Sequence, residues 1–194
     1  MAKILFVKSD GAHKRVRLGI EEDDGASAVI NVRESTYTSL GAPERGLEIS
    51  EETLYALKRD DEILRAYKKA VGYLADSDRS RYEMRKKLIL LGFASDITDL
   101  VLNKCEEYGY LDEERQLERL VEREANRKLR GRYYIRRKLA SKGYRTSTID
   151  RVTSMLIEKG EIDFDANFDL LAEKRGIIDE TEMKALKYKY GYES

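Results

Sequence analysis

Three short apolar or alternating runs open the chain: Ile4 to Val7, Val16 to Ile20 and Ala28 to Val32. Ser9-Asp10-Gly11 and Asp23-Asp24-Gly25 separate them, and Asp-Gly pairs favour turns, so the pattern predicts β structure. After Arg33 the apolar spacing becomes helical. Pro43, the only proline, lies in Gly-Ala-Pro-Glu-Arg-Gly, which predicts a loop. A small β-rich N-terminal domain is therefore expected over residues 1–50. From Ser50 onward there is no proline, and glycines stand singly where helices would stop, so the remainder should be all-α. Connecting helices are expected over 51–78.

The helix ends can be placed from the caps. Ser80 and Glu83 have capping-box spacing for a helix that Gly92 ends, and Asp112 is a good N-cap for a long helix to about Leu129. Ile97, Leu100, Val101, Cys105 and Tyr108 lie at helical spacing before Gly109. In the long helix, Leu117, Leu120, Val121, Ala125 and Leu129 form the expected inward face. Arg115, Arg119, Arg123 and Arg127 then share another face, where Glu118 and Glu122 are placed to pair with the first two.

Sliding the sequence by 51 residues aligns Arg81-Tyr82-Glu83-Met84-Arg85-Lys86-Lys87-Leu88 with Arg132-Tyr133-Tyr134-Ile135-Arg136-Arg137-Lys138-Leu139. The match runs on without a gap: Gly92-Phe93 meets Gly143-Tyr144, Asp99 meets Asp150, Val101 meets Val152, Gly109 meets Gly160, and Asp112 meets Asp163. Of the 32 pairs from Arg81/Arg132 to Asp112/Asp163, 11 are identical, which an ungapped coincidence seldom gives. Each copy reads as helix, Gly, helix, Gly, then an Asp-capped third helix. The expected fold is mainly α: tandem three-helix repeats in an extended array, preceded by the small β-rich N-terminal domain. Repeat one is assigned to 79–129, repeat two to 130–176 and a partial third repeat to 177–194, where Met183 stands before Gly191-Tyr192 as Ile135 stands before Gly143-Tyr144. Cys105 falls opposite Leu156, which marks the lone thiol as a core hydrophobe.

Composition narrows the chemistry. The 194 residues are 41% hydrophobic and 38% charged, with one Cys and one His. A chain of this size can bury about 70% of its unfolded surface, so no disulfide or metal is needed to hold a core. One Cys and one His exclude an internal disulfide and a Cys/His zinc site, and a reducing, cytoplasmic compartment fits. The N-terminal apolar run is too short for a signal peptide, and no run reaches membrane-spanning length, so no membrane partner is expected. Formal net charge is zero. Counted by segment, however, residues 1–78 carry −3, 79–160 carry +7 and 161–194 carry −4. Ala125 to Ile149 holds nine basic residues and no acid, an electrostatic footprint for an anionic partner.

Catalytic motifs are missing: there is no phosphate-binding glycine loop, no H-E-x-x-H, and His13 has no nucleophile nearby in sequence. The chain reads as a non-enzyme with no cofactor, metal or small-molecule substrate. The paired acids Asp23-Asp24, Asp60-Asp61 and Glu113-Glu114 read as solvated, structural groups. The informative feature is the first helix of each repeat. With Met84 and Leu88 inward, Tyr82, Arg85 and Lys86 turn outward; Tyr133, Arg136 and Arg137 do so behind Ile135 and Leu139. Arg forks and Tyr rings suit an acidic protein groove or a DNA phosphate backbone. The plainer alternative is an ordinary solvated helix face.

Arg-Tyr-Glu-Met-Arg-Lys-Lys-Leu with a following Gly-Phe, then Gly-Tyr-Leu-Asp, resembles the signature of the RecX family of bacterial recombinase regulators, over roughly residues 61 to 175. Gly46 to Glu52 and the β-rich stretch before it are similar to the N-terminal extension of some members. The resemblance implies three-helix repeats that bind the RecA nucleoprotein filament along its groove and limit ATPase, strand-exchange and coprotease activity. Charge and repeat geometry then nominate Arg81, Arg85, Lys86, Lys87, Arg132, Tyr133, Arg136, Arg137, Lys138 and Lys142 as contacts to RecA or to the DNA it holds. Members typically carry a complete third repeat, whereas Lys184 to Tyr192 supplies one helix of it, so a shorter footprint is expected. The competing reading is a stand-alone helix-turn-helix-like DNA-binding regulator. The tandem arrangement and the absence of an Asn/Gln-rich reading face disfavour it.

Overall fold

The alternating strands pair as their pattern requires. A computed structural model describes residues 1–193, in which β1 (Ala2–Asp10), β2 (Arg15–Glu22), β3 (Ser27–Arg33) and β4 (Glu48–Ile49) form one antiparallel sheet in the order β3-β2-β1-β4. The helices are α1 (Glu34–Ser39), α2 (Glu51–Asp76), α3 (Arg81–Leu90), α4 (Ser95–Glu107), α5 (Glu113–Glu122), α6 (Arg132–Ser141), α7 (Thr146–Glu158), α8 (Phe164–Arg175) and α9 (Glu180–Tyr190), with a π turn at Arg123–Arg127. The chain folds into two compact units, Met1–Tyr73 with Leu88–Lys104 and Leu74–Lys87 with Cys105–Ser194.

In the first unit Ile4, Val16, Leu18, Ile20, Ile30 and Val32 point to one sheet face and meet Leu57 of α2 in a core. Each fully buried side chain of this kind contributes on the order of 2 kcal/mol. β3 has no strand on its outer edge, and α2 covers it with two carboxylates. Asp61 accepts the Asn31 backbone N–H at 2.9 Å, and Asp60 accepts the Arg33 backbone N–H at 2.7 Å and the Arg33 Nε–H at 2.8 Å. Asp60 and Asp61 are 3% and 6% exposed, so the solvated reading of this pair is corrected. The physical reason is that an edge strand's free N–H groups need acceptors, and buried carboxylates supply them while blocking edge-to-edge pairing.

The 51-residue offset recurs in the helices. α3 and α6 each have 10 residues, α4 and α7 each have 13, and α5 and α8 start at positions 113 and 164. Gly92 and Gly143 both have φ +88, and Gly109 and Gly160 both have φ +71, the left-handed turn that glycine adopts without strain. Ser80 and Glu83 form the capping box, with bonds of 3.1 Å in both directions. The Asp112 side chain accepts the Arg115 N–H at 3.0 Å, and Asp163 caps α8 in the same way.

Within the second unit one core joins Leu117, Leu120, Val121 and Ala125 to Ile135 and Leu139 of α6 and to Ile149, Val152 and Leu156 of α7. A second core joins Leu129, Phe168, Leu171 and Ala172 to Leu186 and Tyr190 of α9. One expectation is modified. The helix that starts at Asp112 does not run on as one α-helix to Leu129: it widens into the π turn, where Lys128 N–H reaches back five residues to the Arg123 carbonyl, and Leu129 turns left-handed at φ +50. Met183 is half-buried where Ile135 is fully buried, and Leu186 and Tyr190 carry the burial of α9.

Candidate functional site

All ten nominated residues lie in the second unit. The first helices of successive repeats are joined there end to end. Gly131 N–H donates to the Tyr190 carbonyl and Tyr133 N–H to the Gly191 carbonyl, both at 2.9 Å, so the free N–H groups opening α6 meet the free carbonyls closing α9. The other end of α6 meets α3 through side chains instead, because Glu83 and Glu113 take the Ser80 and Arg81 backbone N–H groups. The Ser80 hydroxyl donates to the Lys142 carbonyl, and the Tyr82 side chain sits where a side chain on Gly143 would be. Each joint sets the C-terminal end of one helix dipole against the N-terminal end of the next, which is electrostatically favourable. Gly131 follows from packing: a Cβ there would collide with Gly191 and Tyr192 backbone atoms.

The line α9-α6-α3 carries the basic side chains in three different situations. Arg132, Tyr133, Arg136, Arg137, Arg85 and Lys86 are exposed. Arg136 Nε–H is nevertheless shared between both Asp150 oxygens at 3.1 Å, and Arg132 donates to Ser154 at 3.2 Å. Among the described residues Arg137 makes no ion pair. Arg81 is half-buried, ion-paired to Glu106 at 2.7 Å, while its backbone N–H donates to Glu113 at 2.7 Å. Lys87 is half-buried. Lys138 turns inward, where its ammonium donates to Glu124 at 2.9 Å and lies 5.6 Å from the Tyr134 ring centroid. Lys142 lies 3.8 Å from Glu83. The structure thus gathers an exposed Arg132, Tyr133, Arg136 and Arg137 set on α6 and holds Lys138 and Lys142 in internal pairs.

Acids absent from the local sequence account for these pairs. Glu124 sits inside the π turn, 1% exposed, between Lys128 at 2.8 Å and Lys138 at 2.9 Å. Burial pushes its carboxyl up, but the two ammonium groups outweigh this and hold it below the usual carboxylate range. Arg119 pairs with Asp78 at 2.6 Å instead of with Glu122. Glu113 and Glu114 are also engaged, Glu114 in a two-bond fork with Arg151 at 2.9 and 2.7 Å that lowers its pKa. Asp150 had a sequence signal, since it recurs with Arg136 as Asp99 does with Arg85. Glu124 had none.

A clasp missed by the charge reading holds α9. The Arg130 guanidinium lies between the Tyr134 and Tyr190 rings, 4.5 and 4.4 Å from their centroids, and Arg175 donates to the Tyr190 hydroxyl. Beside it, an open groove between α6, α7, α8 and α9 is lined by Arg132, Tyr133, Phe164, Phe168, Met183 and Tyr192. Tyr192 packs edge-on against Phe168, with centroids 5.1 Å apart, and burial pushes its hydroxyl to about 12. Its counterpart Tyr144 donates to Gln116 at 3.0 Å. At the position equivalent to Gln116 stands the shorter Asn167, which donates to Asn126 at 3.0 Å instead.

Among the described residues no cluster of three or more His, Cys, Asp or Glu could hold a metal, and no helix is long and apolar enough to cross a membrane. A family model described as RecX, first three-helix domain, matches residues 66–105. The chain resembles the RecX family. Its RecX relatives include the regulatory protein RecX of Clostridioides difficile (strain 630), 28% identical over 135 residues, which are 68% of this chain and 60% of that one. The regulatory protein RecX of Geobacillus sp. (strain WCH70) is 25% identical over 138 residues, 71% of this chain and 51% of the relative. The chain thus spans 51% to 60% of the length of these curated relatives. A crystal structure of a regulatory protein RecX shares the fold, with a TM-score of 0.71 over 98% of this chain and 93% of that one, at 21% identity.

Proposed function

We propose that the chain is a cytoplasmic, non-catalytic regulator that binds the RecA-DNA filament and inhibits its ATPase, strand-exchange and coprotease activities. Similarity to regulatory RecX proteins supports the regulatory role. The observation that supports the binding mode is the end-to-end meeting of the first helices, α9 with α6 and α6 with α3, together with the exposure of basic residues on α6 and α3. In this reading residues 79–129, 130–176 and 177–194 are successive contact units. Arg132, Tyr133, Arg136 and Arg137 make the principal contacts, and Arg85 and Lys86 extend them. Arg81, Lys87, Lys138 and Lys142 serve mainly to orient the helices. The bound surface is acidic protein, DNA phosphate or both, since Arg forks suit either.

The test is the DNA-dependent ATPase rate of RecA filaments from the same organism, titrated with wild type and with R132E/R136E/R137E. Wild type should inhibit and the triple variant should not, with helical circular dichroism unchanged. An unaltered ATPase rate together with salt-sensitive, sequence-selective duplex binding would replace this reading with the stand-alone DNA-binding regulator.

A further inference from the structure

The N-terminal sheet has a second face. Along β2, buried Val16, Leu18 and Ile20 alternate with Arg15, Arg17 and Glu21, which face outward. The cross-strand register builds that outer face in rows. Asp10 pairs with Arg15; Lys8 with Arg17, which pairs in turn with Asn31; and Phe6 with Gly19, which pairs with Val29. Phe6 lies across Gly19: any side chain there would collide with the ring, so glycine makes room for an aromatic on the sheet surface. A β-bulge between Ile4 and Phe6 leaves Leu5 exposed beside it, and Val29 is 49% exposed on the other side. The Lys8 ammonium lies 5.8 Å from the ring centroid.

Charge along this face is polarised. Lys8, Arg15 and Arg17 stand at the β1-β2 turn end, where Asp10 is occupied by His13 at 2.8 Å. Glu21, Asp23 and Asp24 lie at the opposite end together with Lys3, while Glu22 turns to the other face and pairs with Lys58 at 2.7 Å.

We propose that this outer face binds single-stranded DNA, with a base stacked on Phe6 and the adjoining phosphates held by Lys8, Arg17 and Arg15. An aromatic ring on a sheet face beside a row of cations offers what an unpaired strand presents, a π face and a polyanionic backbone. A duplex keeps its bases stacked inside and cannot use the ring. Leu5, Gly19 and Val29, which surround Phe6, offer no side-chain hydrogen bond to a 2′-hydroxyl, which favours DNA over RNA. The site is separate from the α6 face and needs no recombinase.

Because the chain has no tryptophan, F6W places a single reporter at the ring position. The full-length F6W protein, without RecA, is titrated with oligo(dT), an abasic strand of equal length, oligo(rU) and a duplex. Binding of a labelled oligo(dT) to wild type, K8E/R17E and R132E/R136E/R137E is followed by anisotropy. Oligo(dT) should quench the tryptophan saturably, the abasic strand should bind roughly tenfold more weakly, and K8E/R17E should lose roughly tenfold or more in affinity at low salt. The α6 variant in the F6W background should keep the quenching, which separates this site from the filament reading. The inference is overturned if oligo(dT) binds wild type and K8E/R17E alike, if it does not bind at low salt, if its saturation leaves the tryptophan unquenched, or if duplex or oligo(rU) binds as tightly or more tightly.

Discussion

Tyr82 of α3 occupies the space that a side chain on Gly143, in the turn after α6, would need. That single contact links two helix repeats that are far apart in sequence, and it makes Gly143 necessary twice over, for its φ of +88 and for the ring it admits. Gly160 has φ +71 but open space around it. Gly160→Ala should therefore cost about 1 kcal/mol of backbone strain. Gly143→Ala should cost about 1–3 kcal/mol more because Tyr82 must move. Denaturant midpoints of the two variants measure the difference; equal midpoints would mean that Tyr82 yields freely.

Gly131 tests the other joint. Its φ of −77 is ordinary, so Gly131→Ala adds no strain of its own, and the added methyl acts only by colliding with Gly191 and Tyr192. A loss of about 1–3 kcal/mol in the docking of α9 is expected. Hydrogen exchange should accelerate across residues 180–190 and leave residues 81–90 unchanged.

Glu124 should make the second unit acid-sensitive. Its folded pKa lies below the ordinary 4.5, so its contribution to stability is complete above about pH 4.5 and is lost as pH falls through the folded value. Glu124→Gln should destabilise the protein by about 1–3 kcal/mol at pH 7, because two Lys ammonium groups lose their shared anion. The gap to wild type should narrow in acid, which thermal unfolding from pH 7 down to 3 would follow.

Cys105 is fully buried, and burial pushes its thiol up to about 11. Attack by a disulfide reagent at pH 8 should be slow in the native protein and at least a hundredfold faster, on the order set by local opening, in denaturant. Fast labelling of the native protein would show that the helix carrying it opens readily.

Local spacing sufficed for much of this fold. Ser80 with Glu83, Asp112 and Asp163, and the glycines at 92, 109, 143 and 160 act over a few residues, and each left a motif in the sequence. The 51-residue repeat made two sets of helices legible at once. The long-range partners left no such trace. Asp60 reads like any other acid until β3 is found to need acceptors along its edge. Lys138 reads as a free cation in an acid-free run until the π turn brings Glu124 beneath it. Arg130 is one of nine basic residues in that run until Tyr134 and Tyr190 close on either side of it.

The sequence by itself determined the repeats, the caps and the sign of charge on each first helix, because hydrogen bonds within a turn and burial along one helix face depend on residues close in the chain. Only the tertiary structure decided which of those charges face solvent. Coulomb and hydrogen-bond partners act through space, and Glu124 and Asp150 reach Lys138 and Arg136 through the folded chain, each across 14 residues of sequence.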